Sequence, residues 1–303
     1  MPDPVLALVG PTASGKSAVA LRVAAHLRAE IVAVDAFTVY RGMDVGTAKP
    51  SAQDRARVAH HGIDLLEPEQ ECTVQWFQAR AREAVADVQA RGRLPLLVGG
   101  SGLYFRAVVD DLVFPPTDPA VRADLEQRHA RDPAAAHAEL ARRDPTAAAR
   151  IDPDNLRRIV RALEVLELTD RPFSAWRTAW EDYRSVYPGL AVVGVAPDRA
   201  ALSERIRRRV EEMVAGGIVE EGQRLAGRTL SRTAQQAIGY AEVFAHLAGE
   251  TDLAEMQEAI RRRTRRYALR QHRWFSADPR VAWASPEEAE HALLRAAEEA
   301  RRD

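Results

Sequence analysis

VLALVGPTASGKS, residues 5–17, joins an unbroken apolar run to two glycines separated by four residues, followed by lysine and a hydroxyl residue. This is the P-loop pattern in its required setting, with a buried strand before it and a helix beginning inside it. The glycines let backbone N–H groups turn inward, and those groups together with the helix N-terminus surround a phosphate. Gly10, Thr12, Ala13, Ser14, Gly15, Lys16 and Ser17 are the residues expected to bind it. Lys16 would reach an outer phosphate and Ser17 would ligate Mg²⁺.

Working outward, the pattern predicts a helix from about Gly15 to Arg28, a second short strand at Ile31–Val34, a helix over Trp76–Ala90 and a strand over Leu94–Val98. From Leu112 to Trp180 the chain turns alanine-rich with helical periodicity, broken by prolines at 115, 116, 119, 133, 145, 153 and 172, which predicts several short helices and no strand. An apolar run, LAVVGVA, returns at 190–196; a long helix over Arg199–Ala215, further helices through Arg270, a last strand at 281–285 and a charged helical tail follow. The fold class is therefore α/β, a P-loop NTPase-like parallel sheet core carrying a helical insertion domain. The core is assigned to 1–111 and 190–303 and the insertion to 112–189. His60-His61 reads as a turn, and no Cys or His spacing fits zinc.

The chain has 303 residues, of which 46% are apolar and 29% charged, so it is neither a fibre nor broadly disordered. With 43 basic against 44 acidic side chains the net charge is −1, and any polyanion site must come from local clustering. A single cysteine, Cys72, fits a reducing compartment, and the N-terminus lacks the features of a signal peptide or a membrane span, so a cytoplasmic protein without a membrane partner is expected. Nothing marks a subunit interface, which points to a monomer. Among the 43 basic residues only Lys16 and Lys49 are lysine. Either coding bias left two survivors, or these positions need a compact ammonium rather than a planar guanidinium.

A P-loop does not say what becomes of the phosphate. Nucleotide-hydrolysing switches and motors hold Mg²⁺ with an acid at the end of another strand, yet LPLLVGG at 94–100 ends in glycine. The acid instead ends the second strand, in IVAVD, where Asp35 would face the P-loop from the carboxyl edge of the sheet. There it suits proton removal from an attacking group, with a turn cap as the plain alternative.

The segment DAFTVYRGMDVGTAKP at 35–50, with the P-loop, GGSGLY at 99–104, RALE at 161–164, QAIGY at 236–240 and RQHRWF at 270–275, closely resembles the tRNA dimethylallyltransferases, in order through most of the chain. The resemblance implies transfer of a prenyl group from dimethylallyl diphosphate to the exocyclic N6 of adenine 37 beside the anticodon, with the P-loop turned to a prenyl diphosphate. Lys16, Asp35 and Ser101 would then be catalytic. Ser101 stands where the family usually has threonine, and Arg209 matches a family arginine that binds the diphosphate. Asp35, Ala36, Phe37, Thr38, Ser101, Arg157, Arg158, Arg161, Gln236, Gly239, Arg265 and Arg266 would meet the tRNA anticodon stem-loop. One departure is clear: after the aspartate the family commonly reads Ser-Met-Gln, and here Ala36-Phe37-Thr38 removes a hydroxyl and an amide.

Between Arg261 and Arg273 lie seven arginines and no acid, and positions 262, 265, 266, 270 and 273 make one stripe on a helix. Such a stripe tracks a phosphate backbone. Tyr267, Trp274 and Phe275 beside it could pack in the core, the favoured reading, or stack on bases. The rival functions are a P-loop kinase of a small metabolite, which leaves the 42–50 motif and the stripe unexplained, a prenyltransferase of free adenine nucleotides, and a non-catalytic RNA-binding protein.

Overall fold

The computed structural model describes residues 4–176, 180, 182–196 and 198–299; the end of the expected charged tail, 300–303, lies outside them. Six parallel strands form one sheet: β1 (Val5–Val9), β2 (Glu30–Val34), β3 (His60–His61), β4 (Pro95–Gly99), β5 (Leu190–Val195) and β6 (Val281–Ala284), in the order β3-β2-β4-β1-β5-β6. Every residue of β1 is buried, because the strand is flanked by β4 (Leu6 opposite Leu96) and β5 (Leu6 opposite Ala191) and covered on both faces. This is why it reads as a continuous apolar run rather than an alternating one.

On one face the helix Lys16–Leu27 and the helix Ala289–Glu299 bury Val19, Val23, Leu293 and Ala297 against Leu6, Leu8, Leu96 and Val193. On the other, the helices Val74–Ala90 and Gly102–Val109 bury Phe77, Val85, Phe105 and Val108, joined by Phe275. His60-His61 corrects the expected turn. The pair is a short edge strand opposite Ile31 and Val32, with His61 Nε2 at 2.7 Å from Glu30 Oε2.

Two compact units emerge, one made of the residues up to Asp110 and from Ser185 onward, the other of Asp111–Arg184. Ser185 to Gly189 go with the sheet unit rather than the helical one: Val186 N–H donates to Val109 O (2.8 Å) and Val5 N–H to Gly189 O (3.3 Å). Arg82 secures the departing chain by donating to the carbonyl oxygens of Ala107, Val108 and Asp110.

In the helical unit three of the prolines start helices instead of interrupting them. Asp118, Asp132 and Asp144 cap helices whose first residues are Pro119, Pro133 and Pro145, each carboxylate accepting N–H groups of the opening turn. Proline at that position loses no hydrogen bond, since its N–H would have had no helical partner. The unit has its own core around Leu125, Leu140, Ile159 and Leu163. Within it Glu164, fully buried, accepts from Arg122, Arg161, Thr117 and the N–H of Asp118. Burial alone would raise its pKa, but these donors outweigh it and hold the carboxyl below the ordinary range. Its stabilising effect is therefore present above the unfolded-state pKa and lost as pH falls through the folded one. Glu164→Ala, which strands two guanidinium groups, is expected to destabilise this unit by about 3–5 kcal/mol, measured by urea unfolding at neutral pH, with the difference from the parent shrinking in acid.

Candidate active site

The carboxyl ends of β1, β2 and β4 open onto a cavity of about 710 Å³. The P-loop forms one wall. Gly15 sits in the left-handed region (φ 93°), and a Cβ there would stand 2.9 Å from an Arg205 nitrogen, so glycine is needed for both the turn and the close approach. The helix Lys16–Leu27 then begins with no side-chain cap and no acid in its first turn. Its opening N–H groups and the positive end of its dipole face the cavity unsatisfied, ready for an anion.

Thr12, Ala13, Ser14, Gly15, Lys16 and Ser17 all line this space; Gly10 lies behind them, against Val195 O. Lys16 rests on its own loop, Nζ donating to Pro11 O at 2.5 Å. Arg209 and Arg205 reach in from the helix Arg199–Ala215, Arg205 donating to Ser14 O at 2.9 Å. Burial first, and then the Arg209 charge, pull the Lys16 ammonium down to about 7 against the opposing charge of Asp35. Arg209 is lowered mainly by burial as well.

Asp35 directly follows β2 and lines the same cavity. Burial raises its pKa, against the N–H groups of Phe37 and Thr38 and the charges of Lys16 and Arg209. The two readings of this residue prove compatible. It caps the turn, Oδ1 accepting from Phe37 N–H at 2.8 Å, and a carboxylate has acceptor sites to spare. Phe37 and Thr38 line the cavity, whereas Ala36 is buried; Thr38 Oγ1 is shielded from solvent with no hydrogen-bond partner. Ser101 follows Gly100 at the cavity edge and precedes the helix Gly102–Val109 without spending its hydroxyl on a cap.

Three contributors escaped the sequence reading. Arg205 is one helical turn before Arg209 and shares its face, a spacing that was legible. Gln271 accepts the Thr12 N–H (2.8 Å), and it lines the cavity with Thr264 and Tyr267 from the helix Leu253–Ser276. The third is Glu221, buried, which accepts the N–H groups of Asp44, Val45 and Gly46 and the hydroxyl of Tyr240. It binds the GMDVGTAK segment to the QAIGY segment, and Lys49 completes the tie by donating to Tyr40 O, Asp44 and Asp64. With its three protons used and its side chain 1% exposed, Lys49 meets the expectation of a compact ammonium.

The aromatic residues divide. Phe275 is core, Tyr267 faces the cavity, and Trp274 is 42% exposed. Arg262, Arg265, Arg266, Arg270 and Arg273 are exposed without an ion pair among the described residues, while Arg261 and Arg263 pair with Glu211 and Glu258 and with Glu242. Arg157 and Arg158 are likewise exposed, but Arg161 is engaged inside the helical unit, donating to Pro115 O, Pro116 O and Glu164. Gln236 and Gly239 flank the cavity-lining Ala237 and Ile238 without lining it themselves. Among the described residues no three His, Cys, Asp or Glu side chains gather to hold a metal, and no helix is long and apolar enough to cross a membrane.

Residues 38–278 match the family model of the IPP transferases, and residues 4–60 that of the isopentenyl transferases. A tRNA dimethylallyltransferase of Kineococcus radiotolerans is 52% identical over 289 residues, 92% of this chain and 90% of that one. One from Bifidobacterium animalis subsp. lactis is 47% identical over 287 residues, 93% and 82% of the two chains. Among solved structures, a full-length tRNA isopentenylpyrophosphate transferase from Bacillus halodurans superposes with a TM-score of 0.71 at 36% identity, covering 99% of this chain and 98% of the other. A eukaryotic dimethylallyltransferase acting on tRNA shares the fold at a TM-score of 0.80 and 23% identity.

Glu221→Ala leaves three loop N–H groups and a tyrosine hydroxyl without their acceptor. At about 1–3 kcal/mol for each buried unsatisfied group, and with water able to reach some of them, we expect a loss of about 3 kcal/mol or more in urea unfolding. Local hydrogen exchange at 44–46 should rise with it.

Proposed function

The chain belongs to the IPP transferase family and transfers a dimethylallyl group to tRNA, and we propose that the donor is dimethylallyl diphosphate, seated in the P-loop cradle, and the acceptor N6 of adenine 37, brought against Asp35. The observation that carries this is the convergence of an anion cradle, the cationic side chains of Lys16, Arg205 and Arg209 and the buried carboxylate of Asp35 in a single cavity.

The allylic carbon–oxygen bond breaks with its electron pair going to the diphosphate. The P-loop amides, Lys16, Arg205 and Arg209 stabilise that charge as it grows. The N6 lone pair, delocalised into the purine and weakly nucleophilic, forms the new carbon–nitrogen bond, and the amine proton passes to Asp35. A carboxylate whose pKa burial has raised is the better acceptor for it. Ser101, which follows the cavity-lining Gly100 and has its hydroxyl uncommitted to a cap, would hydrogen-bond the diphosphate or the base.

Ser17, exposed on the cavity wall at the start of the helix, fits a Mg²⁺ that takes its other ligands from phosphate oxygens and water, since no carboxylate cluster stands nearby. Bound there, the ion would neutralise charge on the leaving group.

The unpaired arginines of the Leu253–Ser276 helix, with Arg157 and Arg158, would contact the anticodon stem-loop backbone. They favour a folded RNA over a free nucleotide as acceptor. The reading includes a monomer, since nothing in the sequence marks a subunit interface, and a reducing, tRNA-containing cytoplasm, which suits the buried thiol of Cys72.

Purified protein with labelled dimethylallyl diphosphate should modify unmodified tRNA and leave AMP untouched, and product from AMP alone would refute the acceptor. Asp35→Asn is expected to cut transfer by roughly 10²–10⁴-fold, the range for a lost acid–base group, with tRNA and diphosphate binding nearly intact. The pKa of Lys16 near 7 in the empty cavity adds a proton linkage. An anion raises that pKa, so binding inorganic diphosphate at pH 8 should draw in a proton through Lys16, whereas at pH 6 the lysine is already charged; affinity falls as pH climbs above 7. Calorimetry in buffers of different ionisation enthalpy, comparing wild type with Lys16→Met, reads this directly.

A further inference from the structure

Thr264, Tyr267 and Gln271 line the cavity from one ridge of the helix Leu253–Ser276, at spacings of three and four. The next position on that ridge is Trp274. Counting by fours from Arg262 through Arg266 and Arg270 also arrives at 274, so the indole stands where the cavity-facing ridge meets the row of unpaired arginines.

Trp274 is 42% exposed although the adjacent Phe275 is fully buried. It is nevertheless fixed. A Cβ on Gly102 would fall 1.8 Å from the indole Cδ1, 2.1 Å from Nε1 and 2.3 Å from Cγ. The five-membered ring therefore lies directly over the Gly102 backbone, one residue after Ser101 and two after the cavity-lining Gly100. A Cβ at 102 would displace it, so glycine there is matched to tryptophan at 274.

We propose that Trp274 is a stacking platform for the nucleotide that adjoins the target adenine. Drawing one base out of a loop leaves its neighbour with a bare face. A pre-ordered indole at the mouth of the receiving cavity replaces the lost stacking, and its contribution tolerates any base because every base has a π-face. The flanking arginines hold the backbone on either side, so the platform acts on loop geometry while the cavity acts on the extracted base. This inference rests on tRNA being the acceptor.

The test uses an anticodon stem-loop carrying 2-aminopurine on either side of the target adenine, with the intact protein. Binding to wild type should quench the fluorescence of one of the two probes. Trp274→Ala should abolish that quenching and raise KM for tRNA roughly 5- to 150-fold, the range for one stacked base, with KM for dimethylallyl diphosphate unchanged. Trp274→Phe should restore much of both. The proposal is overturned if neither probe is quenched by wild type, or if Trp274→Ala keeps wild-type quenching and KM. It is equally overturned if the loss extends to donor KM and thermal stability and Phe does not restore it, because the ring would then be structural. Failure of the underlying reading would look different: wild type itself would transfer no group to tRNA.

Discussion

The site depends on a concentration of positive charge that the protein leaves unneutralised. A helix N-terminus without a cap, Lys16, Arg205 and Arg209 face one space, which Asp35, Asp54 and Glu212 also line. Like charges brought together out of water repel and desolvate, and the lowered pKa values of Lys16 and Arg209 express that cost. The site contains the cost by local means. Lys16 donates to Pro11 O and Arg205 to Ser14 O, so neither head group is without a partner before substrate arrives. A ligand must outcompete those bonds, which favours a multiply charged anion over a weakly charged molecule. The arrangement thus selects for anionic charge before any shape is read.

A second layer keeps the opposite wall in place. The GMDVGTAK segment has little regular structure of its own, and its backbone donors find their acceptor in Glu221 rather than in a sheet or helix. Tyr240 shares that carboxylate, and Lys49 ties Tyr40, Asp44 and Asp64. A motif that looks like a binding loop is in large part a brace. Its tip still contributes Gly46, Thr47, Ala48 and Pro50 to the cavity lining.

What could be read in the sequence follows from how local each feature is. The P-loop, β1 and the Asp35 turn are contiguous and carry their own patterns, so strand, cradle and carboxylate were all legible. The short strand at His60-His61 was not, because two residues carry no periodicity and pair only through their neighbour β2. Pro119, Pro133 and Pro145, expected only to divide the segment into short helices, each follow an aspartate that caps a helix beginning at the proline. Glu221 and Gln271 were invisible, since each acts on a segment far along the chain and nothing in its neighbours marks it. Arg161 sits in an exposed-looking basic run, yet its bonds to Glu164 and two proline carbonyls turn it inward.

The departure at 36–38 is instructive in the same terms. Where the family commonly has Ser-Met-Gln, Ala36-Phe37-Thr38 removes side-chain donors, and a reading by side chains alone would expect the acceptor site to weaken. The carboxylate of Asp35, however, is held by the backbone N–H groups of Phe37 and Thr38, which any non-proline sequence supplies. That carboxylate is therefore insulated from this substitution, and under the proposed reaction its cost would fall on contacts to the base. Thr38 Oγ1, shielded and without a partner among the described residues, would be the polar atom to recover one of them, since a buried hydroxyl left unpaired gains most from a ligand that satisfies it.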